Sequence, residues 1–284
     1  MRTKRLIALL GATLLLATTA GQTHAQSDRA RANQDSAQDD ERIRAIIAQL
    51  DSKERNDVRD GYLAMQEMGS DAQAATPTAN RVLARGLPVD LATVALRALG
   101  RVGHPSSSKA IRPYLRHRHL DLRREAVKAL IRTGGPEAKT GLRQALSDAD
   151  GMVRGMAATG LGELQASEHI DALFAALDRN VPEAAASIGQ LCRPEQCEKF
   201  ASRTGAVAFD IMITGFDQIL FRDAAQMPDD QKIRIIGRVR ELGTGEANRF
   251  LKDVQARWPK DGSERVKKAL DLAVQATLAS PGGA

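Results

Sequence analysis

Apolar residues along this chain cluster at spacings of three and four, and the clusters recur every 31 residues. Three segments align without gaps, beginning at Leu91, Leu122 and Val153. Small residues coincide at Ala95, Ala126 and Ala157, and leucines at Leu99, Leu130 and Leu161. A second apolar group coincides at Ile111, Leu142 and Leu173, then at Leu115, Leu146 and Leu177. A fourth copy follows at a spacing of 27, where AAASIGQLC from Ala184 matches AATGLGELQ from Ala157. Each copy therefore holds two amphipathic helices. Between them lies a breaker: Gly103-His104-Pro105, Gly134-Gly135-Pro136 or Arg193-Pro194. Glycine ends the first helix and proline opens the second. Such a pair cannot bury its apolar face alone, so successive pairs must stack and share an interior.

Outside these copies the pattern persists with slips. Glu41 to Leu50 reads as an orphan helix capping the amino end. Asp57 to Gly69 reads as a first helix and Ala79 to Arg85 as a second. Lys232 to Leu242 and Ser263 to Val274 read as first helices, with Gly243 to Val254 as the second helix between them. The stretch from Phe200 to Phe221 holds four of the six phenylalanines and fits no single repeat, so an irregular unit with a bulkier core is expected there. The whole reads as all-α, an α-solenoid of roughly six or seven helical hairpins over residues 41–278.

One segment carries a family resemblance. Leu146-Ser147-Asp148-Ala149-Asp150-Gly151-Met152-Val153-Arg154, running into Ala157 and Gly160-Leu161-Gly162, resembles a HEAT repeat of the short bacterial, phycobilisome-lyase HEAT-like type. Leu122-Arg123 takes the place of Val153-Arg154 one copy earlier. The resemblance covers Leu91 to Gln190. It implies a right-handed solenoid with second helices lining the concave side, and a structural role for Arg123.

The first 25 residues read as an export signal: Arg2, Lys4 and Arg5, the apolar run Leu6 to Ala17, then Thr23-His24-Ala25 before a cut ahead of Gln26. No cysteine follows the run, so the expected product is exported, periplasmic or secreted from a bacterium, and not a lipoprotein. No transmembrane segment is expected once the signal is removed. Residues 26–40 contain no aliphatic larger than alanine and read as a disordered linker, and 279–284 as a disordered tail. Charge changes with this reading. The full chain has 41 basic and 35 acidic residues, or +6; removal of three basic residues leaves 38 against 35, or +3. That charge gives little support for nucleic acid as a partner, and 3% aromatics leave few stacking platforms.

Candidate chemistry is sparse. No Gly-x-Ser-x-Gly turn or phosphate loop occurs, and none of the five histidines forms a His-Glu or His-x-x-x-His pair. No enzyme activity, metal or cofactor is therefore expected. Cys192 and Cys197 frame a turn and would bond in an oxidising compartment; the alternative is two buried thiols. The densest basic cluster gathers Arg112, Arg116, His117, Arg118, His119, Arg123 and Arg124. Lys109, Arg112, Arg116, Lys139 and Arg143 fall on second helices, and with Arg118 they form a candidate anion or partner-binding face; the plain reading is solvated helix ends. Trp258 stands alone and reads as sealing the last units. These features point to a non-catalytic scaffold for a protein or peptide partner. The alternatives are a polyanion binder and a lyase-like accessory component.

Overall fold

A computed structural model describes residues 36–278. The expected signal, the tail and most of the expected linker lie outside the described residues. Residues 36–40, expected as linker, are already helical and continue into the expected capping helix, so α1 covers 36–50. Asp39, Asp40 and Glu41 crowd its first turns, where carboxylates suit the positive end of the helix dipole. Arg42 pairs with Asp39, and Arg44 donates to the Asp40 carbonyl oxygen.

The helices then alternate between two rows. The first row holds α2 (Arg55–Met68), α4 (Val89–Val102), α6 (Leu120–Thr133), α8 (Gly151–Glu163) and α10 (Glu183–Leu191), each packed on the last. The second row holds α3 (Thr76–Ala84), α5 (Ser108–Ile111), α7 (Gly135–Ala145), α9 (Ile170–Leu177) and α11 (Pro194–Ala201). The breakers act as expected: Gly103 closes α4 in the left-handed conformation at φ +73°, Gly134 closes α6 at φ +65°, and Pro194 opens α11. Asp150 caps α8 by accepting from the Val153 amide at 3.0 Å. The matched leucines Leu99, Leu130 and Leu161 and the matched alanines Ala95, Ala126 and Ala157 all have 0% exposure, so they occupy equivalent places in successive layers.

The second helix of the α4 unit departs from expectation. Its α-helical part stops at Ile111, and Arg112–Arg116 continues as a 3₁₀ turn. Pro113 has no amide hydrogen to continue the α-helical ladder.

Beyond residue 201 the two rows go on alternating, one place out of step with the sequence reading. Turns over 202–208 lead into α12 (Phe209–Leu220), which packs on α10 and so takes a first-row place. Its apolar face meets a bulky cluster as expected, with Phe200 to Phe216 at 5.3 Å and Phe209 to Phe250 at 6.1 Å between ring centres. The connection 221–228 then leads to α13 (Asp229–Glu241), followed by α14 (Gly245–Arg257) and α15 (Glu264–Leu278). The sequence reading placed α13 and α15 among first helices and α14 among second helices; the packing inverts this. Glu198 of α11 accepts from Gln231 and pairs with Arg238, both on α13. Arg265 of α15 pairs with Asp230 of α13, while Arg257 of α14 pairs with Asp217 of α12. Because α12 fills a first-row slot without a short-turn partner, every later helix shifts by one place. The described residues thus contain seven pairs behind the α1 cap.

The closest approach between layers is α10 against α12. A methyl group at Gly189 would run into the carbonyl oxygen of Gly215, with the Gly215 Cα only 2.8 Å away. Gly189→Ala should therefore destabilise the fold. The helix-propensity gain of up to ~1 kcal/mol is smaller than the ~1–3 kcal/mol cost of overpacking. Chemical denaturation should show a net loss of about 1 kcal/mol or more; an unchanged or raised midpoint would contradict the packing.

Candidate functional site

The six basic side chains expected to share one face are split among three places. Lys109 on α5 lines a groove of about 390 Å³ between α3 and α5, with Leu83, Ala110 and Tyr114 in its wall. Tyr114 closes the floor, its hydroxyl donating to the Leu83 carbonyl oxygen at 3.0 Å. Arg116 and Arg118 line a separate groove of about 510 Å³, shared with His117, Arg123 and the Ser147–Ala149 turn. Lys139 and Arg143 lie one layer further on, along α7.

Two of the six are neutralised. Arg112 pairs with Glu137 across the layer, and Lys139 pairs with Glu168 at 3.2 Å. Lys109, Arg116, Arg118 and Arg143 are exposed and form no ion pair within the described residues. The positive face is therefore four separate cations on a surface that is partly cancelled.

Arg123 is committed to structure. Its guanidinium grips Asp148 with two parallel bonds, at 2.8 and 3.0 Å, and donates to the His117 carbonyl oxygen at 3.2 Å. Arg154, 31 residues later, repeats the device by donating to the Asp148 and Ala149 carbonyl oxygens at 2.9 Å each. Both arginines hold the turn that ends the preceding unit. Arg124 holds Asp150 at 3.0 Å, and its hydrogen bond keeps that carboxyl below the ordinary carboxylate value.

The histidines follow the local field. Burial, then His119 and Arg118, push His117 below its ordinary value of 6.5. Burial also lowers His169; Glu168 opposes this, while Arg143 and Lys139 reinforce it. Cys192 and Cys197 are joined by a disulfide with a Cα–Cα distance of 5.3 Å, clipping the end of α10 to α11. A loop this short gives an entropic stabilisation of about 2 kcal/mol.

Two features escaped the sequence reading. One is a groove of about 430 Å³ across α8, α10 and α12, with Ala186 and Ile211 inside and the carboxylates Glu163, Glu183 and Asp210 around it. Its residues come from three repeats, so no single motif announces it. The other is Lys232, a lysine with 5% exposure on α13. It falls in phase with Ile235, Ile236 and Val239, and that helical spacing is a signal the sequence did contain. Among the described residues, no group of three or more His, Cys, Asp and Glu is placed to hold a metal ion, and no helix is long and apolar enough to cross a membrane.

Comparison with known proteins bears on the fold. Residues 82–151 match the family model for HEAT repeats. No curated protein matches the chain. Among solved structures, an engineered protein from the Northeast Structural Genomics Consortium is similar at 15% identity and a TM-score of 0.49, covering 84% of this chain and 69% of its own. The CpcE–CpcF complex of phycocyanin lyase from Nostoc sp. PCC7120 is similar at 16% identity and a TM-score of 0.42, covering 83% of this chain and 94% of that one. A designed armadillo repeat protein is similar at 15% identity and a TM-score of 0.41, covering 82% and 98%.

The histidine shifts fix a sign for pH dependence. Both groups bind protons less readily when folded than when unfolded. As pH falls through about 6.5 the unfolded chain takes up protons first, so stability must fall with it. The melting temperature should be lower at pH about 5.5 than at about 7.5, and the difference should shrink in His117→Asn/His169→Asn. An identical drop in the double variant would assign the effect elsewhere.

Proposed function

We propose that this stack of HEAT-type helix pairs is an exported, non-catalytic scaffold that docks a protein or peptide partner. The observation that carries the reading is the open groove across α8, α10 and α12, which offers apolar floor and carboxylate rim together. Stacked repeats suit such docking because each unit extends the surface without a new fold. The groove carries no cation in its lining, so its partner is a segment bearing Lys or Arg. The basic face of Arg116 and Arg118 is a weaker candidate, since Glu137 and Glu168 already cancel part of that side. Export is supported by the charged and apolar pattern of residues 1–25 and by the Cys192–Cys197 bond, which persists in oxidising compartments.

A photoreactive residue in place of Thr159 or Gln218 tests the groove inside the native cell. Each should give a discrete heavier adduct that disappears with Glu163→Lys/Asp210→Lys, while a photoreactive residue at the exposed Lys252 gives none. No adduct at either groove position, or the same adduct from Lys252, would discard the groove. Protein purified from its native source should begin at Gln26 on amino-terminal sequencing; a retained Met1 would remove export from the reading.

A further inference from the structure

Seven buried side-chain polar atoms find no hydrogen-bond partner among the described residues, and three of them belong to residues that line one cavity near the end of the stack. They are Arg222 Nε, Asp229 Oδ1 and Trp258 Nε1. The cavity measures about 260 Å³ and lies where the 221–228 connection passes the start of α13 and the end of α14. Lys232, in its wall, adds a fourth polar group. The ammonium donates to the Arg222 carbonyl oxygen and sits 5.7 Å from the centre of the Trp258 ring. It has three hydrogens, and that single bond engages one of them.

Each group is fixed by its remaining atoms. Arg222 spends Nη1 on the carbonyl oxygens of Cys192 and Gly189, at 2.6 and 3.4 Å, which caps the carboxyl end of α10. Asp229 receives the Ser263 hydroxyl on Oδ2, leaving Oδ1 unengaged. The Trp258 ring leans on Phe221 at 5.7 Å. Its indole nitrogen lies over Gly262, where an added Cβ would come within 2.7 Å of Nε1. Glycine at 262 is thus a condition for the position of that N–H group. Burial pushes the Lys232 ammonium below its ordinary value; Asp229 and Asp223 oppose that shift and Arg222 adds to it, and Asp261 also lines the cavity.

The chemistry of these groups defines what complements them. Arg222 Nε–H, Trp258 Nε1–H and the Lys232 ammonium are donors, two of them cationic; Asp229 Oδ1 is an acceptor. We infer that the cavity binds a small carboxylate with a hydroxyl or ammonium group on the adjacent carbon, an α-hydroxy or α-amino acid. The carboxylate meets Lys232, Arg222 and Trp258, and the neighbouring donor meets Asp229. The volume lies just below the ~300–1,000 Å³ of sites for drug-sized ligands, which suits a molecule of a few carbons. The site shares no lining residue with the α8–α12 groove and stands or falls independently of partner docking.

Trp258 is the sole tryptophan, so the chain gives one indole N–H resonance. Lactate, glycerate, alanine and serine would each be titrated to about 10 mM against full-length protein, with glycerol as the uncharged control. At least one of the four acids should move the indole resonance saturably, and glycerol should not. Lys232→Met should weaken that response by about tenfold or more. If Lys232→Met does not fold, Asp229→Asn at the half-buried helix start serves in its place and should weaken the same ligand. Silence from all four acids, an equal response to glycerol, or a response unchanged in the folded variants would each overturn the site, leaving a cavity filled by water alone.

Discussion

A pair of helices four to fifteen residues long has one apolar face and no way to bury it except against another pair. That constraint sets the composition as well as the shape. Layers must approach closely, so the matched first-row positions hold Ala95, Ala126 and Ala157, and the tightest contact is glycine on glycine at Gly189 and Gly215. Leucine supplies the volume, each fully buried side chain contributing ~1.5–3 kcal/mol. Aromatics would hold the layers apart. They gather where α10, α12 and α14 leave room for Phe200, Phe209, Phe216 and Phe250, while Tyr62, Tyr114 and Phe174 are buried singly in other layers.

Charges across the layers set register more than they set stability. Arg55–Asp90, Arg81–Asp51 and Arg265–Asp230 are exposed on both partners, where solvent screening leaves such pairs little effect on stability. Arg123–Asp148 differs, with side chains 17% and 8% exposed and two parallel bonds. Its reach to the His117 carbonyl, copied by Arg154 on Asp148 and Ala149, ties the end of one unit to the start of the next. Arg112, Arg123, Arg124 and Lys139, which look available in the sequence, are absorbed in cross-layer pairs. The cations left over, Lys109, Arg116, Arg118 and Arg143, are too dispersed to build one strong anion site.

Legibility in the sequence tracked periodicity. Wherever a helix face is set by apolar residues at three- and four-residue spacing, as at Leu99, Leu130 and Leu161, position in the stack follows from position in the chain. Which row a helix joins is not a local property, and here the reading broke down. Lys232–Leu242 has the pattern of a first helix, yet α12 had already taken that slot through Gly189 and Gly215, a contact between residues 26 apart. Cross-layer partners such as Arg112–Glu137 were also invisible, because the spacing of 25 that joins them arises from the stack. Lys232 was readable: a lysine in register with Ile235, Ile236 and Val239 must either leave the buried face or bring its charge into the interior.

That lysine shows where a repeat protein has room for chemistry. In the units around α6 and α8, Arg123, Asp148 and Asp150 are consumed by the turns they help to close. Between α12 and α13 the short turn of the earlier pairs is replaced by the longer 221–228 connection. Arg222, Asp229, Lys232 and Trp258 are brought together there with hydrogen-bonding capacity to spare. A buried donor or acceptor left unmet costs ~1–3 kcal/mol, so three around one cavity weigh on the fold at this place. Apolar residues of similar size would relieve that cost, as leucine does at the equivalent depth elsewhere in the stack. The 221–228 connection therefore supplies both a cavity and a set of polar groups that stability alone does not explain, which is the combination a ligand site requires.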